Sequence, residues 1–427
     1  MIDVVLIMFV FALGACVGSF LNVVIYRMPR GESIVFPSSH CPQCGRGIHW
    51  YDNVPIFSWL ILRGQCRFCG VKISPQYILV EAFTGLLLVG LYVAYFVLHA
   101  RGPADMDFLQ AWPMFIAHAA LLCGLLACAV VDIRYYLVPL PVMWTVAIIG
   151  AAAGGYQPHP MLASASASHI AMSLAAGIGL ILGLLAIKWG YLMPSFVDAD
   201  DRATLAEEPA GDARKECDFR GKSATKTPAN PKKGERKRKQ TKKTKNNTGS
   251  VAITSADGVN PRKEILREVL FLAPALLLAF AAWAILHWSP AADTWWSCWF
   301  KPAHHPMLGP RLMGVGGAMF GFLIGGAWVW GTRILGTLGF GKEAMGLGDV
   351  HIMAGVGAVT GWVVPSLAFF VAPVTGLAAV FYMLLIRRQR ELPYGPWLAA
   401  GTILVMLFYD PMVNYIAPGL SELMRNL

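Results

Sequence analysis

Two aspartates 217 positions apart, Asp132 and Asp349, each stand where an apolar run meets a polar turn. A carboxylate at the mouth of a membrane helix is costly to desolvate, so it usually faces water, a partner or a reaction. Asp349 closes Gly346-Leu-Gly-Asp349 inside the glycine-rich stretch 341–351, where Gly346 and Gly348 let the backbone turn tightly and another segment come close. An interfacial Asp capping a helix would explain that stretch equally well. Asp132 ends another apolar run two positions before Arg134, and a surface ion pair worth little would suffice there. Counting crossings places both acids at the same face of the membrane, which points to a carboxylate pair.

A second group of reactive side chains lies nearer the N-terminus. Cys41-Pro-Gln-Cys44 and Cys66-Arg-Phe-Cys69 are two C-x-x-C pairs separated by 21 residues. Paired knuckles of this kind present four thiolates at a geometry that suits tetrahedral zinc. A disulfide reading is weak on the reducing side of the membrane, and redox use would need only one pair. A site closed by four thiolates is structural, not catalytic.

The elements that must hold these residues are membrane helices. Of 427 residues, 56% are hydrophobic and only 14% charged. Runs of about 20 apolar residues, enough to cross a bilayer core, recur along the chain. The expected fold is an all-α polytopic membrane protein with ten crossings and a small cytoplasmic zinc-knuckle loop. Residues 1–26 form the first helix and 27–75 the zinc-knuckle loop. Helices 2–5, with the first acid, occupy 76–194. A charged insert spans 195–262, and helices 6–10, with the Gly-Leu-Gly-Asp loop, occupy 263–427. The first helix lacks a positive n-region and a polar cleavage site, so it is expected to be retained. Arg27 and Arg30 follow it and put this end in the cytoplasm, with the N-terminus outside. The 350–386 stretch must then form a hairpin or a re-entrant segment, so that Arg387-Arg-Gln-Arg390 also lies inside.

Within these helices, Gly14 and Gly18 form a small face for close packing, and Asn22 on that face should bond to a neighbouring helix. Glu81 stands one turn into the second helix, a position that invites a function, though a snorkelling interfacial acid would also explain it. With Asn22, Gly346, Gly348 and His351 it is a candidate for supporting the active site. Cys16, Cys123 and Cys128 read as small buried packing residues, Cys217 and Cys298 fall in loops, and Trp295, Trp296 and Trp299 mark an outer loop. The formal charge of +10 is mostly local, because residues 195–262 hold 16 Lys and Arg against 10 Asp and Glu. Nine of the basic residues crowd into 232–245, a composition that buries no core and is expected to be disordered. Contact with anionic lipid headgroups explains this run without a nucleic-acid partner, and none is expected.

At this point the sequence resembles the type IV prepilin peptidases, the aspartyl leader peptidases of pilus and type II secretion systems. Gly18-Ser-Phe-Leu-Asn-Val-Val-Ile-Tyr-Arg27 resembles the family's first-helix motif. The two cysteine pairs, continuing through Ile73-Ser-Pro-Gln-Tyr77 to Glu81, resemble its zinc loop. Asp132 matches the first catalytic aspartate and Gly346-Leu-Gly-Asp349 the motif carrying the second, while Pro393-Tyr-Gly-Pro396 resembles the start of its last helix. The chain departs from the pattern in three places. Leu140 follows Pro139 where Asp is frequent, His351 stands where Lys is common, and residues 156–310 exceed the usual length. His351 keeps the basic character only when protonated.

The resemblance implies cleavage of a short basic leader from prepilin or pseudopilin precursors at the cytoplasmic face of the bacterial inner membrane. Two close carboxylates share a proton, so one takes a proton from water while the other polarises the scissile carbonyl. It also implies, in many members with the cysteine loop, N-methylation of the new terminus with S-adenosylmethionine. No independent methyl-donor motif accompanies that expectation. Two rival readings are a proton-coupled transporter using Glu81, Asp132 and Asp349 as relays, and an inactive pilus or secretion assembly component. A transporter's acids should sit near mid-membrane, and an inactive component need not keep both aspartates. Deletion of residues 232–245 is expected to leave precursor cleavage intact, because closure entropy changes slowly with loop length. Loss of cleavage in a deletion variant that still inserts would place the basic run in the working site.

Overall fold

The computed structural model describes residues 2–99, 108–193, 195, 261–382 and 393–426. Nearly all of the charged insert (196–260, with Cys217) and the 387–390 arginine cluster lie outside the described residues. Among the described residues every regular element is a helix, and the only strand-like pairing is two isolated bridges in the irregular cysteine loop.

Helix α1 spans Ile2–Arg27, followed by the cysteine loop with its short helix α2 (Phe57–Ile61). Then come α3 (Gln76–Tyr92), which runs on as a π-helical turn to Val97, α4 (Phe108–Tyr135), α5 (Leu140–Tyr156) and α6 (Ala167–Lys188). After the insert follow α7 (Pro261–Trp288), α8 (Pro290–Cys298), α9 (Leu308–Phe340), α10 (Leu347–Thr360), α11 (Val363–Tyr382), α12 (Gly395–Leu407) and α13 (Tyr409–Asn426). Among the described residues, six helices are long and apolar enough to cross a membrane, or seven if α12 and α13, bent by 82°, count as one span. Helices stand at the places where the sequence predicts crossings, but only six or seven, not ten, are of membrane length. Helices α5, α10 and the apolar part of α11 are shorter than a full span. Fourteen residues, as in α10, reach about 21 Å, against a hydrocarbon core of about 30 Å.

Small residues decide which helices touch. A Cβ on Gly14 would sit 2.8 Å from the Gly85 backbone, and one on Gly18 would sit 2.7 Å from the Glu81 backbone, so α1 and α3 pack backbone to backbone. The same device joins α9 to α10, where Gly321 and Gly357 face each other so closely that a Cβ on either would overlap the other's carbonyl oxygen. The apolar core that results joins Leu121 and Val131 of α4, Met143 of α5, Val329 of α9, Met353 and Val356 of α10, and Leu398 of α12, all essentially inaccessible. Helices α6 and α7 pair with each other and dock on α9.

Cys123 and Cys128 are buried as expected, but Cys16 is exposed on the outer face of α1, near Leu13 and Phe20. Lipid tails are as apolar as a protein core, so an apolar run in a membrane helix does not specify inward burial. Cys298 ends α8, which also carries Trp295 and Trp296, so this stretch is a short helix where a loop is expected. The indole of Trp296 donates to the Ala167 carbonyl at 2.6 Å and ties α8 to the start of α6.

Candidate functional site

The two aspartates meet where three helix ends converge. Asp132 lies in the last turn of α4 and Asp349 in the first turn of α10, and both are buried, at 7% and 8% exposure. The charge of Asp132 acts on Asp349, which places the two carboxylates within electrostatic range of each other. The start of α12 closes the third side. Its Gly395 backbone N–H donates to Asp132 Oδ2 at 2.9 Å. A Cβ at Gly395 would stand 2.8 Å from that oxygen and 3.3 Å from Ile352 Cδ1, one turn beyond Asp349. Tyr394, just before, lies within electrostatic range of Asp349. Two buried acids, one of them held by a backbone donor, form an arrangement suited to passing a proton through a water.

The two glycines of the Gly-Leu-Gly-Asp turn do different work. Gly348 packs against Val138, and a Cβ there would come within 2.6 Å of the valine side chain. Gly346, the residue before α10, has φ −72° and ψ 148°, which any residue adopts, and an added Cβ would meet only ordinary contacts. On the aspartyl-peptidase expectation drawn from the resemblance, Gly348→Ala and Gly395→Ala should lower turnover about 10- to 100-fold, because shifting a reacting carboxylate by about 1 Å has effects of that order. Gly346→Ala is expected to fold normally and to be the mildest of the three. Initial rates on one precursor, with membrane insertion checked in parallel, test this ranking.

The other residues singled out in the sequence sit elsewhere. His351 is two positions past Asp349, about 200° round the helix. Its Nδ1 bonds to the Leu347 carbonyl oxygen at 2.9 Å, and its ring stands 6.1 Å from that of Trp144 on α5. Asn22 is buried and donates to the Tyr77 carbonyl at 3.0 Å, which is the inter-helix bond expected of it. Glu81 is buried as well, and its carboxylate accepts from the Ile56 N–H at 2.7 Å. It therefore anchors the cysteine loop to α3 and does not snorkel toward water.

The four cysteines are brought together. Their sulfurs all lie within 4.8 Å of one another, and Cys41 Sγ and Cys69 Sγ are 3.8 Å apart. A tetrahedron of 2.3 Å Zn–S bonds has edges of about 3.8 Å, so this cluster could hold a metal ion. The two knuckles repeat one backbone pattern. The Cys41 N–H donates to Arg46 O and the Gly45 N–H to Cys41 O, and the Cys66 N–H donates to Val71 O and the Gly70 N–H to Cys66 O, all at 2.9 Å. Gly45 and Gly70 hold φ +68° and +69° at the equivalent turns. Backbone N–H groups of Cys44 and Gln43 pull the Cys41 thiol down to about 7. The Val71 N–H pulls Cys69 down too, but burial and the neighbouring thiols outweigh it and raise that thiol to about 11. Arg67, inside the second pair, donates to Asp52 at 2.8 Å and holds that carboxyl below its usual range.

Sequence reasoning passes over Gly395 and Tyr394, although Pro393-Tyr-Gly-Pro396 marks where they are. It also passes over Arg333 and Glu268, which are buried at 1% and 4% exposure. A charged residue inside an apolar run was the signal available for Arg333, whereas Glu268 follows Arg262, Lys263, Glu264 and Arg267 and is not marked by its neighbours.

Residues 12–95 match the family model described as Bacterial Peptidase A24 N-terminal domain. That stretch holds the four cysteines, Asn22 and Glu81 and ends before both aspartates. The chain is 62% identical over 79 residues to the prepilin leader peptidase/N-methyltransferase of Myxococcus xanthus, a match covering 18% of this chain and 24% of the relative. It is 38% identical over 146 residues to the protein of that name in Klebsiella pneumoniae (32% and 58% covered), and 33% over 188 residues to that in Xanthomonas campestris (38% and 60%). The chain thus spans between a quarter and three fifths of the length of these curated relatives. No solved structure matches it. The resemblance to the type IV prepilin peptidases therefore holds beyond the short motifs. Together with six to seven membrane-length helices, it makes this a multi-pass protein of the bacterial inner membrane.

Proposed function

We propose that this chain, similar to the prepilin leader peptidase/N-methyltransferases, is a membrane aspartic endopeptidase that removes the short basic leader from type IV prepilin or pseudopilin precursors at the cytoplasmic face. The observation that carries this reading is the burial of Asp132 and Asp349, within electrostatic range of each other, at the convergence of α4, α10 and α12. In the reaction, one carboxylate accepts a proton from the attacking water while the other, protonated, donates to the scissile carbonyl oxygen. The pair acts as a unit, and the two roles belong to it jointly. The Gly395 N–H fixes one oxygen of Asp132, so the other oxygen is left to face water or substrate.

Cys41, Cys44, Cys66 and Cys69 would hold one zinc ion, whose contribution is to close the loop, since four thiolates leave no open position for chemistry. S-adenosylmethionine-dependent N-methylation of the new N-terminus is proposed on the names of the relatives alone. Precursors, membrane lipids and that methyl donor are the partners this reading requires. The deciding experiment mixes full-length protein in lipid vesicles with a purified precursor and follows the loss of the leader by mass. An intact precursor, with the protein correctly inserted, would overturn the reading and leave the transporter or assembly alternatives.

A further inference from the structure

Asp349 depends on where α10 begins, and that point is gripped from α9. Arg333 and Thr337, one turn apart on α9, share a face. The turn after α9 folds back onto this face. The Arg333 guanidinium donates to the Met345 carbonyl and to the Glu343 carboxylate, and the Ala344 N–H donates to Thr337 Oγ1 at 3.2 Å. Met345 immediately precedes Gly346, and α10 starts at Leu347, so the gripped carbonyl lies four residues before Asp349. Arg333 is itself held from α7. Its Nε donates to Glu268 Oε1 at 2.9 Å, and the Trp330 indole donates to Glu268 Oε2 at 3.1 Å. A buried charge is expensive unless it is paired and hydrogen-bonded, as both groups are here.

We propose that Glu268 is a positioning residue for Asp349: it fixes the Arg333 guanidinium, which in turn sets the Met345 carbonyl and the first turn of α10. This rests on the peptidase reading for its kinetic consequence, although the contact itself does not. It also gives a role to α7, which lies within the stretch 156–310 by which the chain exceeds its family's usual length. A Gln at 268 keeps the shape but removes the charge that orders Arg333. A Lys at 333 keeps the buried charge balanced, but its single ammonium does not span Glu268 and the Met345 carbonyl as the guanidinium does.

The test uses full-length protein in lipid vesicles, with precursor cleavage and hydrogen–deuterium exchange measured on the same samples. E268Q is expected to lower kcat about tenfold with KM within twofold, and to raise exchange in residues 341–348 while α3 and α4 stay unchanged. R333K should do the same, whereas a role limited to balancing buried charge would leave its kcat at the wild-type level. If E268Q fails to insert, E268D keeps the charge and withdraws it by about one methylene, with a smaller kcat loss expected. Wild-type kcat and unchanged 341–348 exchange in an inserted Glu268 variant would overturn the proposal, as would full activity of R333K. Absence of cleavage by the unaltered protein would instead overturn the peptidase reading. Exchange in residues 341–348 would then decide the positioning contact alone.

Discussion

Replacing Asp132 or Asp349 by Asn is expected to reduce precursor cleavage by about 10²- to 10⁴-fold while leaving insertion and helix packing intact. General acid–base groups contribute roughly 10²- to 10⁴-fold, and an amide neither accepts the proton from water nor donates one to a carbonyl oxygen. The Asn change also tests the pairing itself. If the two acids work as one unit, the double variant should be no slower than either single one, because removing one member already disables the other. The fold should persist, since Asn at 132 can still accept the Gly395 N–H through its amide oxygen. Single-turnover cleavage, with circular dichroism as the control for folding, measures both effects. Full processing by either Asn variant would remove that residue from the mechanism.

Loss of the metal is expected to have the second largest effect. Purified protein should contain about one zinc per chain, as one four-thiolate site requires. Structural zinc contributes roughly 10–16 kcal/mol in small zinc-binding peptides near pH 7, more than a short loop with little core of its own gains otherwise. Replacing all four cysteines by Ser, or stripping the metal with a strong chelator, should therefore unravel the knuckles and open the loop to protease. The α4, α10 and α12 site would stay folded. The Glu81–Ile56 bond gives this effect a route into the membrane, because it ties the loop to the α1–α3 pair. Metal analysis beside limited proteolysis tests the idea, and a protease-resistant, metal-free loop would refute it. Acidification should release the metal as well, because thiolates bind it and thiols do not.

By itself, the sequence determined the parts that depend on local pattern. Apolar runs interrupted by polar turns placed a helix at each expected position, since a membrane helix satisfies its own backbone whatever its neighbours are. The spacing of Cys41, Cys44, Cys66 and Cys69 announced a four-sulfur site, because each C-x-x-C turn orients two thiols before any tertiary contact forms. Asp132 and Asp349 were legible as acids at helix mouths. Their proximity, though, is a contact between α4 and α10 that the spacing along the chain does not encode. Tertiary structure alone decided the remainder. The Gly395 N–H reaches Asp132 across 263 positions, and a glycine has no side chain to reveal that use. It also decided that His351 turns toward Trp144, that Glu81 reaches into the loop, and that Cys16 faces outward. Arg333 meets Glu268 and Met345 only after α7, α9 and the turn before α10 have packed together. The physical reason is the same each time. Hydropathy and spacing record how a segment meets water, lipid or its own backbone, whereas which buried face meets which follows from close packing of whole helices.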